Sequence, residues 1–194
     1  MEQIDFRKTI ESLKGSGFCL VPDMVKISIQ DSKELLSRGV KYFAGDSAQW
    51  LPEYDEVAKW LSNNEGRGLF CYGNCGRGKT MICCKIIPLL LNHYCRKLVT
   101  YYDAQQMNAD IETVKAKHIL CIDDIGTENI SVKYGERRLA FSEIVDEAEK
   151  KGKLLILTTN LSLEEISAKY GERTMDRLIA ITKPVKFKGQ SLRR

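Results

Sequence analysis

No stretch of this chain is apolar for long enough to cross a bilayer. Met1-Glu2-Gln3-Ile4-Asp5 lacks the basic and apolar regions of a signal peptide. A soluble, cytoplasmic protein is the expectation. Paired C-x-x-C spacing is missing as well. Cys19, Cys71, Cys75, Cys83, Cys84, Cys95 and Cys121 form an odd set, which argues against a zinc site and against a disulfide framework. Cys71 and Cys121 fall in expected strands, and Cys83 and Cys84 in an expected helix, so they read as small buried hydrophobes in a reducing compartment. A strong charge imbalance is also lacking: a formal net charge of +4 is too modest to argue for nucleic acid on its own. No cluster of aromatics interleaved with Lys or Arg is evident. What is present is ordinary for a globular chain, with 43% hydrophobic and 29% charged residues, and the 194 residues suit one sizeable core better than two.

The organising stretch is Gly73-Asn74-Cys75-Gly76-Arg77-Gly78-Lys79-Thr80, which fits the phosphate-binding pattern G-x-x-x-x-G-K-[ST] at every fixed position. Leu69-Phe70-Cys71-Tyr72 before it reads as a short buried strand, and Met81 to Leu91 after it as a core-facing helix. Strand, glycine-rich loop and helix is the context the pattern requires. The glycines let the backbone wrap phosphate oxygens with its N–H groups inward, and the helix adds the positive end of its dipole. Lys79 is expected to reach the terminal phosphates, and Thr80 to place its hydroxyl on a magnesium ion. The whole run Gly73–Thr80, with Met81 directly after it, is the expected nucleotide-binding segment.

Elsewhere the pattern alternates. Apolar positions at Ile4, Phe6, Ile10 and Leu13 suggest one face of a helix. The run from Pro22 to Gln30 fits either a loop or an edge strand. Asp31 or Ser32 could cap a helix to about Arg38, followed by Lys41-Tyr42-Phe43 and a loop. Pro52 opens a helix with Tyr54, Val57, Ala58 and Leu61 inward, ended by Asn63-Asn64-Glu65-Gly66. Pro88 is expected to kink or end the first helix of the core near Ile87. Further strands are expected at Leu98–Tyr102, Ile119–Ile122, Leu154–Leu157 and Pro184–Phe187. One short helix is expected within Asp103–His118, one over Glu136–Lys151, one after the capping box Ser162-Leu163-Glu164-Glu165, and one over Glu172–Ile181. Apolar strands alternating with helices imply an α/β fold, a parallel sheet with helices on both faces, and ligands at the carboxyl ends of the strands.

Polar residues just after the strands are therefore the site candidates. Asp123 and Asp124 follow the third strand. Asp123 would hold magnesium, and Asp124 would orient or deprotonate an attacking water. Asn160, in Thr158-Thr159-Asn160 after the fourth strand, could hydrogen-bond a γ-phosphate or that water; it could equally just start the turn. Arg173 and Arg177 share a helix face and could reach the γ-phosphate of a neighbouring subunit, or could pair within the helix surface.

With these pieces in line, the chain resembles AAA+ ATPases, most of all the DnaC/DnaI helicase-loader group, related to the transposition helper ATPases. The residues that carry the likeness are GNCGRGKT, ILCIDDIG from Ile119 to Gly126, LTTN from Leu157 to Asn160 and GERTMDRL from Gly171 to Leu178. The resemblance implies a P-loop NTPase of the AAA+ type with a five-stranded parallel sheet and no C-terminal helical lid. It implies ATP and Mg2+ as cofactors, with Lys79 and Thr80 on phosphate and metal and Asp123 on metal. Asp124 takes the catalytic acidic position, Asn160 is the first sensor, and Arg177 is an arginine finger acting in trans beside Arg173. It further implies a self-associating ATPase, slow without a partner or DNA, that couples ATP to a replicative helicase and single-stranded DNA. Residues 41–194 would be the ATPase domain, and residues 1–40 a short N-terminal segment with a possible partner-binding role. Lys133-Tyr134-Gly135-Glu136-Arg137 recurs as Lys169-Tyr170-Gly171-Glu172-Arg173, which makes Arg137 or Arg138 a competing trans-acting cation. Lys183, Lys186, Lys188, Arg193 and Arg194 could track single-stranded DNA phosphates or form a solvated tail. Other readings are a transposition helper ATPase, a P-loop small-molecule kinase and a nucleotide-binding module that barely hydrolyses. Tyr42, Phe43 and Trp50 are candidates for an adenine pocket.

Overall fold

The computed structural model describes residues 4–14, 16–17, 22–128, 131–133 and 136–192, with the side chains of 14, 131–133 and 136–138 excepted. Cys19, Tyr134, Gly135, Arg193 and Arg194 lie outside the described residues. Five parallel strands make the central sheet: β1 (Gly68–Gly73), β2 (Thr100–Asp103), β3 (Ile119–Asp123), β6 (Leu154–Thr158) and β7 (Thr182–Phe187), in the order β2-β3-β6-β1-β7. Register places Asp103 opposite Asp123, Ile122 opposite Leu157, Cys71 opposite Thr158 and Gly73 opposite Phe187. The carboxyl ends of all five strands therefore meet along one rim.

The period-two alternation of a strand sends successive residues to two cores. Leu69, Cys71, Cys121, Ile156, Val185 and Phe187 face α2 (Ser32–Ala44), α3 (Pro52–Ser62) and the helix after the phosphate loop. Phe70, Leu120, Ile122, Leu155 and Leu157 face the opposite layer. That layer holds α5 (Ala104–Ala109), α6 (Ile111–Lys115), α7 (Ala140–Lys151), α8 (Leu163–Tyr170) and α9 (Glu172–Ile181). The expected buried cysteines are confirmed at Cys71, Cys83 and Cys121, each fully buried. Cys83 Sγ lies 3.5 Å from Cys71 Sγ, and Cys121 Sγ 3.5 Å from Cys84 Sγ. Burial and these thiol contacts raise the Cys83 and Cys84 pKa values, so both thiols stay protonated.

Several expected elements are corrected. Pro88 does not end its helix. The helix runs from Lys79 to Cys95 but widens to a π-helix over Met81–Ile86, where the Ile87 N–H bonds to Ile82 O. Pro88 then falls in the first turn of α4 (Ile87–Cys95), where its missing donor is tolerated. Helix α2 runs past its expected end near Arg38 and takes in Lys41, Tyr42 and Phe43. Asp103–His118 holds two helices instead of one, because Asp103 and Asp110 each accept from a backbone N–H and start a new turn. Glu136–Arg138 is a strand, β5, paired antiparallel with β4 (Ser131–Lys133), and helix α7 begins only at Ala140. Glu136, Arg137 and Arg138 are all charged and add nothing to the apolar stripe that drives α7, so strand pairing decides their conformation. Leu98 and Val99 precede β2, which runs through Asp103. The capping box at Ser162 and the bounds of α9 are as expected.

Helix α1 (Phe6–Lys14) forms, with Asp5 Oδ1 accepting from the Arg7 and Lys8 N–H groups, but its expected apolar face is open: Ile4 is 57% and Phe6 68% exposed. The Pro22–Gln30 run is neither helix nor strand. It is extended, with Val25, Ile27 and Ile29 buried. Asn64 clamps it: Oδ1 accepts from the Ile27 N–H at 2.7 Å, and Nδ2 donates to Val25 O at 2.9 Å and Arg67 O at 3.0 Å. Removing these bonds leaves buried backbone groups unpaired. Asn64→Ala is therefore expected to destabilise the fold by about 2–4 kcal/mol, several such groups at ~1–3 kcal/mol each with partial rescue by water. Urea unfolding of the two chains measures it.

Candidate functional site

Gly73, Gly76 and Gly78 hold φ values of 108°, 74° and 86°, a region that L side chains rarely adopt. At Gly78 a Cβ would also lie 2.5 Å from the Tyr54 hydroxyl oxygen. That hydroxyl donates to Arg77 O at 2.9 Å, and burial together with nearby Glu53 pushes the Tyr54 pKa up to about 12. The loop is thus shaped by β1 beneath it and by α3 beside it.

Lys79 opens the following helix and is only 5% exposed. Its ammonium donates to Gly73 O and Asn74 O, both at 2.8 Å, and to Asn160 Oδ1 at 2.9 Å. Asn160 Nδ2 donates in turn to Asp124 Oδ1 at 3.1 Å. Three loops along the rim are therefore joined in one relay: phosphate loop, Asn160, Asp124. Burial lowers the Lys79 pKa, an effect opposed by Cys75 and Asp124. Thr80 Oγ1 donates to Asp123 Oδ1 at 3.1 Å. Asp123 is buried behind it and also accepts from Thr158 Oγ1. Thr158 accepts the Asp124 N–H at 3.0 Å, and Asp124 sits at a left-handed φ of 54°.

A cavity of about 410 Å³ opens over this arrangement. Cys75, Gly76, Gly78, Lys79, Thr80, Met81, Asp124 and Asn160 line it; Gly73, Asn74 and Arg77 do not. The Arg77 guanidinium is turned away and bound to Glu53 Oε1 at 2.7–2.9 Å, with both side chains largely buried. Tyr42, Phe43 and Trp50 are likewise absent from the lining. Trp50 packs edge-on against Tyr54, while Tyr42 and Phe43 border a separate groove between α2 and α4. The residues that complete the cavity are Val40, Ala44, Ser47, Gln49, Tyr54, Lys85 and Leu192. Of these, only Tyr54 carried a periodic signal, and that signal marked it as core.

Arg173 and Arg177 are not brought to this cavity. Arg177 Nε binds Glu149 Oε2 at 2.9 Å, and Nη1 binds Asp146, both on α7. Arg173 and Arg177 border a second, mixed-charge cavity with Asp146 and Lys150. Arg137 and Arg138 lie on the β4–β5 hairpin, described here by its backbone alone. Lys183 pairs with Glu56 at 3.4 Å, and Lys186 and Lys188 are exposed.

Glu128 was not anticipated. It is buried just past Asp124, accepts from the Gly126 N–H at 2.8 Å and from the Tyr170 hydroxyl, and lies 3.9 Å from Lys169 Nζ. It ties the Asp124 loop to α8. Its sequence signal was a lone acid two residues beyond the Ile119–Gly126 stretch.

The oxygen donors at Thr80 and Asp123 suit a hard cation such as magnesium, which keeps several waters and leans on substrate phosphates. Among the described residues no group of three or more His, Cys, Asp or Glu is placed to hold a metal ion.

The chain is similar to the DnaC helicase loader, with a TM-score of 0.54 and 19% identity over 83% of this chain and 93% of that one. It is similar to DnaI, with a TM-score of 0.52 and 19% identity over 84% and 86%. Its fold is the P-loop AAA+ type. The AMPPCP-bound DnaA of Aquifex aeolicus is also similar, with a TM-score of 0.52 and 17% identity over 72% of this chain and 48% of that one. The family model described as Nephrocystin 3, N-terminal, matches residues 46–121. No curated protein sequence matches the chain. Among the described residues no helix is long and apolar enough to cross a membrane.

Thr158 is fully buried and links Asp123 to Asp124. Thr158→Val keeps the shape but removes one of the two hydroxyl donors to Asp123 and the acceptor of the Asp124 N–H, so a loss of about 1–3 kcal/mol is expected. Thermal melts of the ligand-free chain are the measurement.

Proposed function

We propose that this chain is an ATP-binding, ATP-hydrolysing AAA+ protein like the replication helicase loaders, coupling ATP to association with a replicative helicase and single-stranded DNA. The observation that carries the reading is the joining of Lys79, Asn160 and Asp124 in one hydrogen-bonded relay, with Thr80 on Asp123 beside it. The DnaC and DnaI likeness supports it at the level of fold.

In this reading the phosphate-loop amides and Lys79 bind the β- and γ-phosphates. Thr80 and Asp123 would hold a magnesium ion, whose charge helps neutralise the phosphates. A terminal phosphate that engages Lys79 competes for the ammonium now shared with Asn160. The Asn160 amide is then redirected, which makes it a sensor of that phosphate. Asp124 orients the attacking water and accepts its proton, while Asn160 fixes the carboxylate through its Nδ2. Arg177, with Arg173 beside it, acts on the γ-phosphate of a neighbouring subunit after exchanging Asp146 and Glu149 for phosphate. Residues 41–194 form the ATPase domain. Residues 1–40 contribute Val25, Ile27, Ile29, Leu36 and Val40 to the core and leave the open apolar face of α1 as the partner-binding element.

ATP turnover measured against protein concentration, with and without single-stranded DNA, tests the assembly. The parent should show a cooperative rise that Arg177→Ala abolishes, and Asp124→Asn should lower turnover roughly a hundredfold or more, the scale of a lost general base. Linear, DNA-independent turnover unaffected by Arg177→Ala would reject the shared site. Pull-down with a replicative helicase in ATP against no nucleotide tests the partner.

The Lys79 pKa adds a pH dependence. Burial depresses it in the free cleft, whereas phosphate binding favours the charged form, so binding takes up a proton near and above that depressed value. ATP affinity should be full below it and fall as pH rises through it, earlier than the ordinary lysine range near ~10.4 would give. Isothermal titration in buffers of different ionisation enthalpy reads the proton uptake directly.

A further inference from the structure

The strand β7 does not simply lead away from the sheet. Residues Lys188–Leu192 turn back across the phosphate loop and are bonded to it at several points. Asn74 N–H donates to Phe187 O at 2.9 Å, and Asn74 Nδ2 donates to Gly189 O at 2.8 Å. Arg77 Nη1 reaches Gln190 O at 3.4 Å, and the Leu192 N–H donates to Gly76 O at 2.9 Å. The fit is close. A Cβ on Gly76 would lie 2.0 Å from Ser191 Oγ, and one on Gly189 would lie 3.1 Å from Arg77 Nη1, at a φ of +114°. Arg77 is itself fixed by its buried pair with Glu53. The two free positions of the motif that carry long side chains, Asn74 and Arg77, thus face away from the cavity and grip this strap.

The strap delivers Leu192 to the cavity, where it is 38% exposed and shares the lining with Val40 and Ala44. These aliphatic groups differ in kind from the phosphate-facing set of Lys79, Thr80, Asp124 and Asn160. A flat, largely apolar group attached to a polyphosphate would cover them.

We propose that Lys188–Leu192 is part of the nucleotide site. Leu192 forms a wall against the base, and Asn74 and Arg77 are the positioning residues that hold it there. This rests on the reading of the cavity as a nucleotide site and deepens it, because it assigns the base contact to a segment remote in sequence. It also couples the two ends of the ligand: the segment that touches the base is bonded to the Gly76 carbonyl of the loop that wraps the phosphates.

Titration calorimetry of the full chain with ATP and with inorganic tripolyphosphate separates base from phosphate. Leu192→Ala should weaken ATP roughly tenfold, on the scale of one lost apolar side-chain contact, and leave tripolyphosphate affinity unchanged. Asn74→Ala should do the same to ATP by releasing the strap. Unchanged ATP affinity in Leu192→Ala, or equal losses for both ligands, would overturn the base contact. A parent chain that binds tripolyphosphate no more weakly than ATP would overturn it too, with the phosphate site intact. A parent that binds neither would overturn the nucleotide reading itself. In the unmodified chain, trypsin cleavage after Lys188, followed by mass spectrometry, should slow with saturating ATP and much less with saturating tripolyphosphate. Equal cleavage under both overturns the proposal.

Discussion

The hydroxyl of Thr158 holds the rim of the sheet together. It donates to the Asp123 carboxylate and accepts the Asp124 N–H, so the carboxyl ends of β3 and β6 are locked at one level. From that level the remaining contacts follow. Asp123 lies beside Thr80, Asp124 is presented at a left-handed φ to Asn160, and Asn160 closes onto Lys79. Parallel pairing makes this possible, because all five strands end on the same side and a ligand there meets several loops at once.

Two layers of helix serve that rim differently. The layer with α2, α3 and the phosphate-loop helix shapes the cavity, through Val40, Ala44 and Tyr54. The opposite layer steadies the loop that carries Asp124. Glu128 and Tyr170 join the Asp124 loop to α8, and α9 carries Arg177 to a cluster of α7 carboxylates well apart from the cavity lining. The π-helical turns above Pro88 let one continuous helix both cap the phosphate loop and pack Ile82, Cys83 and Ile86 into the core.

Much of this was legible in the chain. The phosphate loop, the three buried strands around it and the acids at their ends are local features: short apolar runs, glycines at fixed offsets, polar residues directly after a strand. The errors were local conflicts. Glu136–Arg138 continued a helical stretch in sequence but had no apolar stripe to hold it there, and paired with Ser131–Lys133 instead. Asp110 divided one expected helix into two by capping the second. Aromaticity did not mark the cavity lining: Trp50 packs edge-on against Tyr54, and Tyr42 and Phe43 border a separate groove between α2 and α4.

The parallel α/β frame, the glycine-rich turn at Gly73–Thr80 and the positions of Asp123, Asp124 and Asn160 directly after strands could be read from the chain alone. Each of these depends on neighbours within a few residues and on the period of a strand or helix. That Leu192, Val40 and Ala44 share a cavity with Lys79, that Arg77 faces Glu53 rather than the cavity, and that Arg177 is paired on α7 is visible in the folded molecule alone. Such contacts join segments far apart in the chain, and no local periodicity records which of the many possible partners the packing of two cores will bring together.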